Sequence, residues 1–215
     1  MNNDNTLYYN LRAKHYDEMY LRRPRQTELT GIANQLQKLV QGKKVLEVAC
    51  GTGYWTERFA AQAEHVLATD HNPAMLAVAQ AKLPFSNGGH TEFQLADAFE
   101  LPAGDFNACV AGFWWSHIKR SEQSAFLDGV QKVCGSGALL VMFDSCYVEG
   151  ESTPIARTDA EGNTYQIRRL ADDSRHEIVK NFPTDSTLRK KLTAHARDIR
   201  VVRGPYFWML TGVLR

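Results

Sequence analysis

An α/β domain built on a mostly parallel sheet is the fold this sequence predicts, and three observations predict it. Short apolar runs bounded by turn residues alternate with stretches of helical periodicity. One run, Val45-Leu46-Glu47-Val48, ends in the turn Ala49-Cys50-Gly51-Thr52-Gly53 and then opens a helix. Acids stand at the ends of three successive runs, Glu47, Asp70 and Asp97, where an open α/β sheet binds its ligands. At 215 residues the chain has the size of a single such domain, residues 1–215, with a core of its own.

Taken in order, residues 6 to 40 read as two helices ahead of the first strand. Tyr9, Arg12, Tyr16 and Tyr20 recur at spacings of three and four and form a tyrosine-bearing stripe, whose plain reading is packing of the helix onto the domain. Leu29, Ile32, Leu36 and Leu39 form the apolar stripe of the second helix, which Gly42 ends. Beyond the first strand, Gly51 and Gly53 permit a tight turn and close backbone approach. Trp55, Phe59 and Ala63 then recur every four residues, with Glu57 in the first turn where the helix dipole favours an acid. Turn and helix start together suit a carboxylate or phosphate. A dinucleotide fingerprint needs a third glycine where Thr56 stands, and Glu47 would repel a pyrophosphate, which weighs against a nicotinamide oxidoreductase.

Val66 to Thr69 is the second strand, ending at Asp70, whose two oxygens match the vicinal hydroxyls of a ribose. Asn72 caps and Pro73 starts the next helix, with Leu76, Ala79 and Leu83 inward. A loop from Pro84 to His90 is broken by Gly88-Gly89, and Phe93 to Ala96 is the third strand, running into Asp97. The fourth strand, Phe106 to Gly112, opens into Phe113-Trp114-Trp115-Ser116-His117, aromatics suited to walling a dry pocket beyond the strand ends. His117 titrates near neutrality and is the first candidate for a general base; the competing role is a helix-start histidine bonded to the backbone. Ser121 begins a helix with Phe126, Val130 and Val133 inward. Gly135-Ser136-Gly137 then leads into the strand from Ala138 to Phe143, ending at Asp144, a candidate to hold substrate or orient a base. After a loop to about Asn163, Tyr165 to Leu170 and His176 to Phe182 alternate around Ala171-Asp172-Asp173-Ser174, a hairpin signal. Its Arg168, Arg169, Arg175 and His176 suit a carboxylated substrate or a solvated surface. Asp185 caps a helix with Leu188 and Leu192 inward, and Arg200 to Arg203 and Tyr206 to Val213 form a closing β pair around Gly204-Pro205.

Glu47-Val48-Ala49-Cys50-Gly51-Thr52-Gly53 resembles the first motif of the class I S-adenosylmethionine (SAM) dependent methyltransferases, with Ala49 in place of the first glycine. Three further stretches resemble the same family: Arg12-Ala13-Lys14-His15-Tyr16-Asp17-Glu18-Met19-Tyr20, Asp70-His71-Asn72-Pro73-Ala74-Met75-Leu76, and Asp97-Ala98-Phe99-Glu100-Leu101-Pro102. The resemblance implies a Rossmann-like three-layer fold, with a seven-stranded sheet whose last strand is antiparallel. It also implies a helical lid over residues 1–40 and a substrate-covering β-hairpin insertion over 145–183, after the fifth strand. It assigns Ala49, Cys50, Gly51 and Gly53 to the methionine part of SAM, Glu47 to its amino group, and the backbone at Ala111 to the same end. His71 and Met75 would flank the adenosine, although Met75 also suits plain core. Asp97 would accept from the adenine amine, with Ala98 and Phe99 along the ring. Tyr16, Tyr20, Phe113, Trp114 and Trp115 would face the substrate, with His117 and Asp144 as catalytic candidates. The implied activity is methyl transfer from SAM to an oxygen or nitrogen of a small molecule; methylation of a protein or RNA, or SAM binding without transfer, are the alternatives.

Composition narrows the partners. A net charge of +1 gives no general pull toward nucleic acid or anionic membrane, and Arg22-Arg23-Pro24-Arg25 and Arg189-Lys190-Lys191 are short, separate runs. No apolar run has the length of a membrane span, and the polar start Met1-Asn2-Asn3-Asp4 is not a signal peptide. Cys50, Cys109, Cys134 and Cys146 form no C-x-x-C pair and read as reduced thiols of a cytoplasmic protein without structural metal. A monomer or homodimer is expected.

Overall fold

The computed structural model describes residues 3–82 and 90–215. The expected inward Leu83 and the Gly88-Gly89 break lie outside the described residues. Among the described residues six α-helices and ten strands follow in chain order. The first eight are α1 (Asn3–Arg12), α2 (Gln26–Leu39), β1 (Lys44–Val48), α3 (Tyr54–Phe59), β2 (His65–Asp70), α4 (Pro73–Ala81), β3 (Thr91–Leu95) and β4 (Ala108–Gly112). Then come α5 (Gln123–Cys134), β5 (Leu139–Ser145), β6 (Arg157–Thr158), β7 (Thr164–Arg169), β8 (Arg175–Val179), α6 (Asp185–Leu192), β9 (Ala196–Arg203) and β10 (Phe207–Leu214).

The main sheet has seven strands in the order β3-β2-β1-β4-β5-β10-β9. The first five are mutually parallel, and β10 pairs antiparallel with both β5 and β9. This is the expected sheet with its antiparallel last strand. Side chains of β1, β2, β4 and β5 are buried on both faces, so these strands read as largely apolar runs, whereas the edge strand β3 is mostly exposed. On one face Leu46, Val48, Cys109, Ala111, Leu140 and Met142 meet Phe126, Leu127 and Val130 of α5 and Leu188 and Leu192 of α6. On the other Val45, Val66, Val110, Val141 and Phe143 meet Leu29, Ile32 and Leu36 of α2 and Trp55 and Phe59 of α3. Strand order reverses between β1 and β4, so a crevice opens at their carboxyl ends.

Several local details depart from the expectation. The tyrosine stripe does not lie on one α-helix: α1 stops at Arg12 and residues Ala13–Leu21 wind as a 3-10 helix. Spacings of three as well as four are compatible with that tighter winding, so the rings still meet edge to face, Tyr9 on Tyr16 and Tyr16 on Tyr20. Ser121 does not cap α5, which starts at Gln123; its hydroxyl donates to Glu161 at 2.9 Å. Thr184, not Asp185, caps α6 by accepting from the Thr187 amide, while Asp185 takes the Arg203 guanidinium at 2.6 Å. Asn72 caps α4 as expected, accepting from the Ala74 and Met75 amides. The hairpin forms with Arg168 opposite His176, and β6 extends it to a separate three-stranded sheet. All four cysteines are free. Among the described residues no helix is long and apolar enough to cross a membrane.

Candidate active site

The carboxyl ends of β1, β2 and β4 and the segment after β4 enclose a cavity of about 690 Å³ including its mouth. Its floor is the turn after β1. Ala49, Gly51 and Gly53 all take left-handed backbone, at φ of 55°, 58° and 72°. Glycine adopts that conformation without strain and alanine does not, so Ala49 is held there by its surroundings. A side-chain carbon added to Gly51 would stand in open space, which leaves backbone exposed to whatever lies in the cavity. Gly53 instead faces Ala79 of α4, where an added carbon would sit at 3.0 Å.

Two carboxylates border this floor. Glu47 is only 2 % exposed; the Thr56 hydroxyl donates to its Oε2 at 2.6 Å. Burial, together with the charge of Asp70 and against the Thr56 bond, pushes its pKa up to about 8. Asp70 accepts the Gly51 amide on Oδ2 and the Asn72 amide on Oδ1, both at 2.8 Å, and so ties the turn to the start of α4. Its pKa is raised by burial, with those backbone bonds opposing.

The roof comes from the N-terminal segment. The Thr6 hydroxyl bonds His71 Nε2 at 3.1 Å, and Asp17 accepts from the Thr52 hydroxyl and from Lys82 Nζ at 2.7 Å. Tyr20 stacks on Tyr54, centroids 3.8 Å apart. At the far end the Tyr9 hydroxyl lies 2.9 Å from His117 Nε2, while His117 Nδ1 lies 2.7 Å from the Val179 carbonyl. A carbonyl only accepts, so Nδ1 carries the proton and Nε2 accepts from Tyr9. Burial first, and then the Lys180 charge, lower the His117 pKa to about 3. The general base expected of His117 meets a buried ring whose two nitrogens are engaged by Tyr9 and by the Val179 carbonyl. The competing expectation, a backbone-bonded histidine, describes it better.

Asp144 is fully buried and does not reach the cavity. Its Oδ2 accepts the Ser116 amide at 2.9 Å and its Oδ1 meets Lys180 Nζ at 3.0 Å, and Lys180 also donates to the Ser116 hydroxyl at 2.7 Å. Burial works against ionisation of Asp144, but Lys180 and the hydrogen bonds from Ser116 hold its carboxyl below the usual range. Burial likewise lowers the Lys180 pKa against the pull of Asp144.

The structure brings Tyr16, Tyr20, Glu47, Ala49, Cys50, Gly51, Asp70, His71, Met75, Phe113, Trp114 and His117 to this one cavity. Ala111, Trp115 and Gly53 stand behind its walls; Trp115 is 1 % exposed and packs on Phe126. Asp97 borders a neighbouring cleft that shares His71, and its Oδ1 accepts the Phe99 amide at 2.9 Å. Ala98 and Phe99 join the core, Phe99 edge-on to Trp114. Sequence reasoning missed Lys180 as a site neighbour and left Tyr9, Thr52 and Trp55 without a role at the cavity. Lys180 carried only a weak signal, a lysine between the apolar pair Ile178-Val179 and Phe182.

Comparison with known proteins agrees with this geometry. The family described as "Methyltransferase domain" matches residues 45–149. The demethylmenaquinone methyltransferase of Clavibacter sepedonicus is 30 % identical over 120 residues, 55 % of this chain and 46 % of that protein. The chain thus spans about half of that relative. An uncharacterized methyltransferase of Bacillus licheniformis is 27 % identical over 170 residues, covering 79 % of this chain and 76 % of that one. Among solved structures, a complex of DhpI with SAH superposes with a TM-score of 0.79 at 27 % identity, over 97 % of this chain and 94 % of that one. A complex of DhpI with SAM and HEP gives 0.77 at the same identity, over 97 % and 95 %.

Proposed function

We propose that the chain is a class I S-adenosylmethionine-dependent methyltransferase that transfers a methyl group from SAM to an oxygen or nitrogen of a small molecule, a reading supported by the methyltransferase-domain match and the superposition on the DhpI complexes. One observation carries the reading: the carboxylates Glu47 and Asp70, a turn bare of side chains at Gly51, and a wall of aromatic rings converge on a single cavity. The donor set fits the cofactor. Glu47 suits its ammonium, Asp70 its ribose hydroxyls, and Met75 and His71 the faces of its adenosine. Trp114 Nε1, buried and without a partner among the described residues, is a spare donor at the same wall. Asp97, with Ala98 and Phe99, is assigned to the adenine end through the cleft that shares His71. Demethylmenaquinone methyltransferase, by its name, acts on a small molecule, which supports the substrate class.

SAM, when bound, supplies a methyl already activated on a sulfonium. The protein's task is then alignment and exclusion of water. Phe113, Trp114, Tyr16 and Tyr20 make a low-polarity wall, where water competes poorly with the acceptor. His117 holds the Tyr9 hydroxyl at the cavity rim, so both are assigned as positioning residues, with Asp144 and Lys180 fixing the Ser116–His117 segment from below. Residues 1–40 serve as a lid, supported by the Asp17–Thr52 and Tyr9–His117 bonds across the cavity, and 145–183 as a substrate cover, supported by the Val179 carbonyl bonded to His117.

Calorimetric titration with SAM and with S-adenosylhomocysteine (SAH) tests the cofactor assignment. Saturable binding is expected, at least tenfold weaker in Asp70→Ala because a charged hydrogen-bond acceptor is lost. No heat with either compound sinks the reading. A metabolite panel followed by SAH release then tests the transfer.

A further inference from the structure

We infer that a second cleft, adjoining the cofactor cavity, is the acceptor site for a small molecule carrying an oxyanion group; the inference rests on the methyl-transfer reading and specifies its substrate class. This cleft, about 770 Å³ including its mouth, shares Tyr9, Tyr16, Phe113 and His117 with the first cavity, so the two spaces adjoin along these four residues. Five cations border it: Arg12, Arg22, Arg25, Arg168 and Lys180. Arg25 has Glu151 at 3.7 Å and Lys180 has Asp144 at 3.0 Å. The other three meet no carboxylate among the described residues. In a chain whose net charge is only +1, that concentration is local and does not reflect a generally basic surface.

Arg168 shows that the site is built. Its Nη1 donates to the Thr153 hydroxyl at 2.8 Å and its Nη2 to Gln166 Oε1 at 2.7 Å, so neutral groups fix the fork without neutralising it. Gln166, 1 % exposed, is itself tied to the Thr153 carbonyl through its amide. Arg168 Nε is buried and has no partner among the described residues. A solvated arginine needs neither a clamp nor a buried idle N–H. The half-buried guanidinium meets no carboxylate among the described residues, and its fork geometry suits two oxygens of a bound oxyanion. Arg12, held by the Tyr8 hydroxyl, and Arg22 add their charge to the same cleft. Three unmatched cations favour a dianionic phosphoryl or phosphonyl group over a carboxylate, because Coulomb attraction scales with ligand charge.

The test uses the whole chain saturated with SAH and titrates it calorimetrically with inorganic phosphate, methylphosphonate and acetate. The set comprises the wild type, Arg168→Gln, Arg12→Gln and the distal surface control Arg200→Gln. Saturable anion binding is expected in the wild type, weaker by about tenfold or more in Arg168→Gln and in Arg12→Gln, and unchanged in Arg200→Gln. SAH affinity should stay the same throughout, since neither Arg168 nor Arg12 lines the cofactor cavity. Tighter phosphate than acetate supports the dianion, and the reverse order overturns that choice. SAH binding with no anion binding, or anion binding indifferent to both arginines, overturns this inference and leaves the methyltransferase reading intact. Absence of SAH binding overturns both. If Arg168→Gln fails to fold, Arg12→Gln alone decides.

Discussion

Glu47 is the residue on which the cofactor assignment can be tested most directly, because its buried carboxylate borders the cavity floor. Burial pushes its pKa up to about 8, so between its ordinary value of 4.5 and about 8 the folded protein holds a proton that the unfolded chain has released. Stability that is fully present below pH 4.5 is therefore lost progressively as pH rises toward 8, and then levels off. Glu47→Gln should abolish that slope, read as urea midpoints from pH 5 to 9, and should weaken SAM binding by at least about tenfold. A bound ammonium favours the charged carboxylate, so SAM binding near pH 7 should release a proton, detected as a calorimetric heat that varies with buffer ionisation enthalpy. The turn below it supplies a second prediction. Ala49 holds a left-handed φ of 55° that costs an L-residue roughly 1–2 kcal/mol, so Ala49→Gly should be close to neutral once the greater freedom of unfolded glycine is counted. Gly53→Ala adds the same backbone strain, at φ 72°, to a 3.0 Å approach to Ala79, and should lower stability by more than about 1 kcal/mol in urea unfolding.

At the scale of elements, the Lys180–Asp144 pair joins the hairpin to the sheet. Lys180 directly follows β8 and Asp144 lies on β5, both under 10 % exposed. Removing one partner strands a buried charge, so Lys180→Met should destabilise the protein by about 3–5 kcal/mol. Adding Asp144→Asn should restore part of that loss, a double-mutant cycle read by thermal or urea unfolding. The hairpin strands were legible from their alternation and the strand-end acids from their position, because both depend on local pattern. The pairing was not legible: Lys180 and Asp144 are 36 positions apart, and no periodicity links them. Ser121 and Asp185 look like helix caps for the same local reason, and both are drawn away by distant partners, Glu161 and Arg203.

Over the whole molecule, the N-terminal segment closes the cavity through polar contacts at widely separated points, Thr6 to His71, Asp17 to Thr52 and Lys82, and Tyr9 to His117. Part-buried polar contacts scattered in this way each stabilise modestly, so the lid should open far below the free energy of global unfolding. Limited proteolysis should cut first within residues 12–26 and should slow on addition of SAH. Asp17→Ala should raise the cleavage rate and the SAH dissociation rate together, followed by gel and by stopped-flow fluorescence. The sequence by itself determined the α/β class, the order of strands and helices, the glycine turn and the acids at the strand tips, because hydrophobic period and turn chemistry act between near neighbours. Only the tertiary structure decided that His117 is a neutral, engaged ring, that Asp144 serves a buried lysine, and that arginines from the lid and the hairpin face one cleft. Those outcomes depend on burial and on partners far apart in the chain, and no local pattern encodes them.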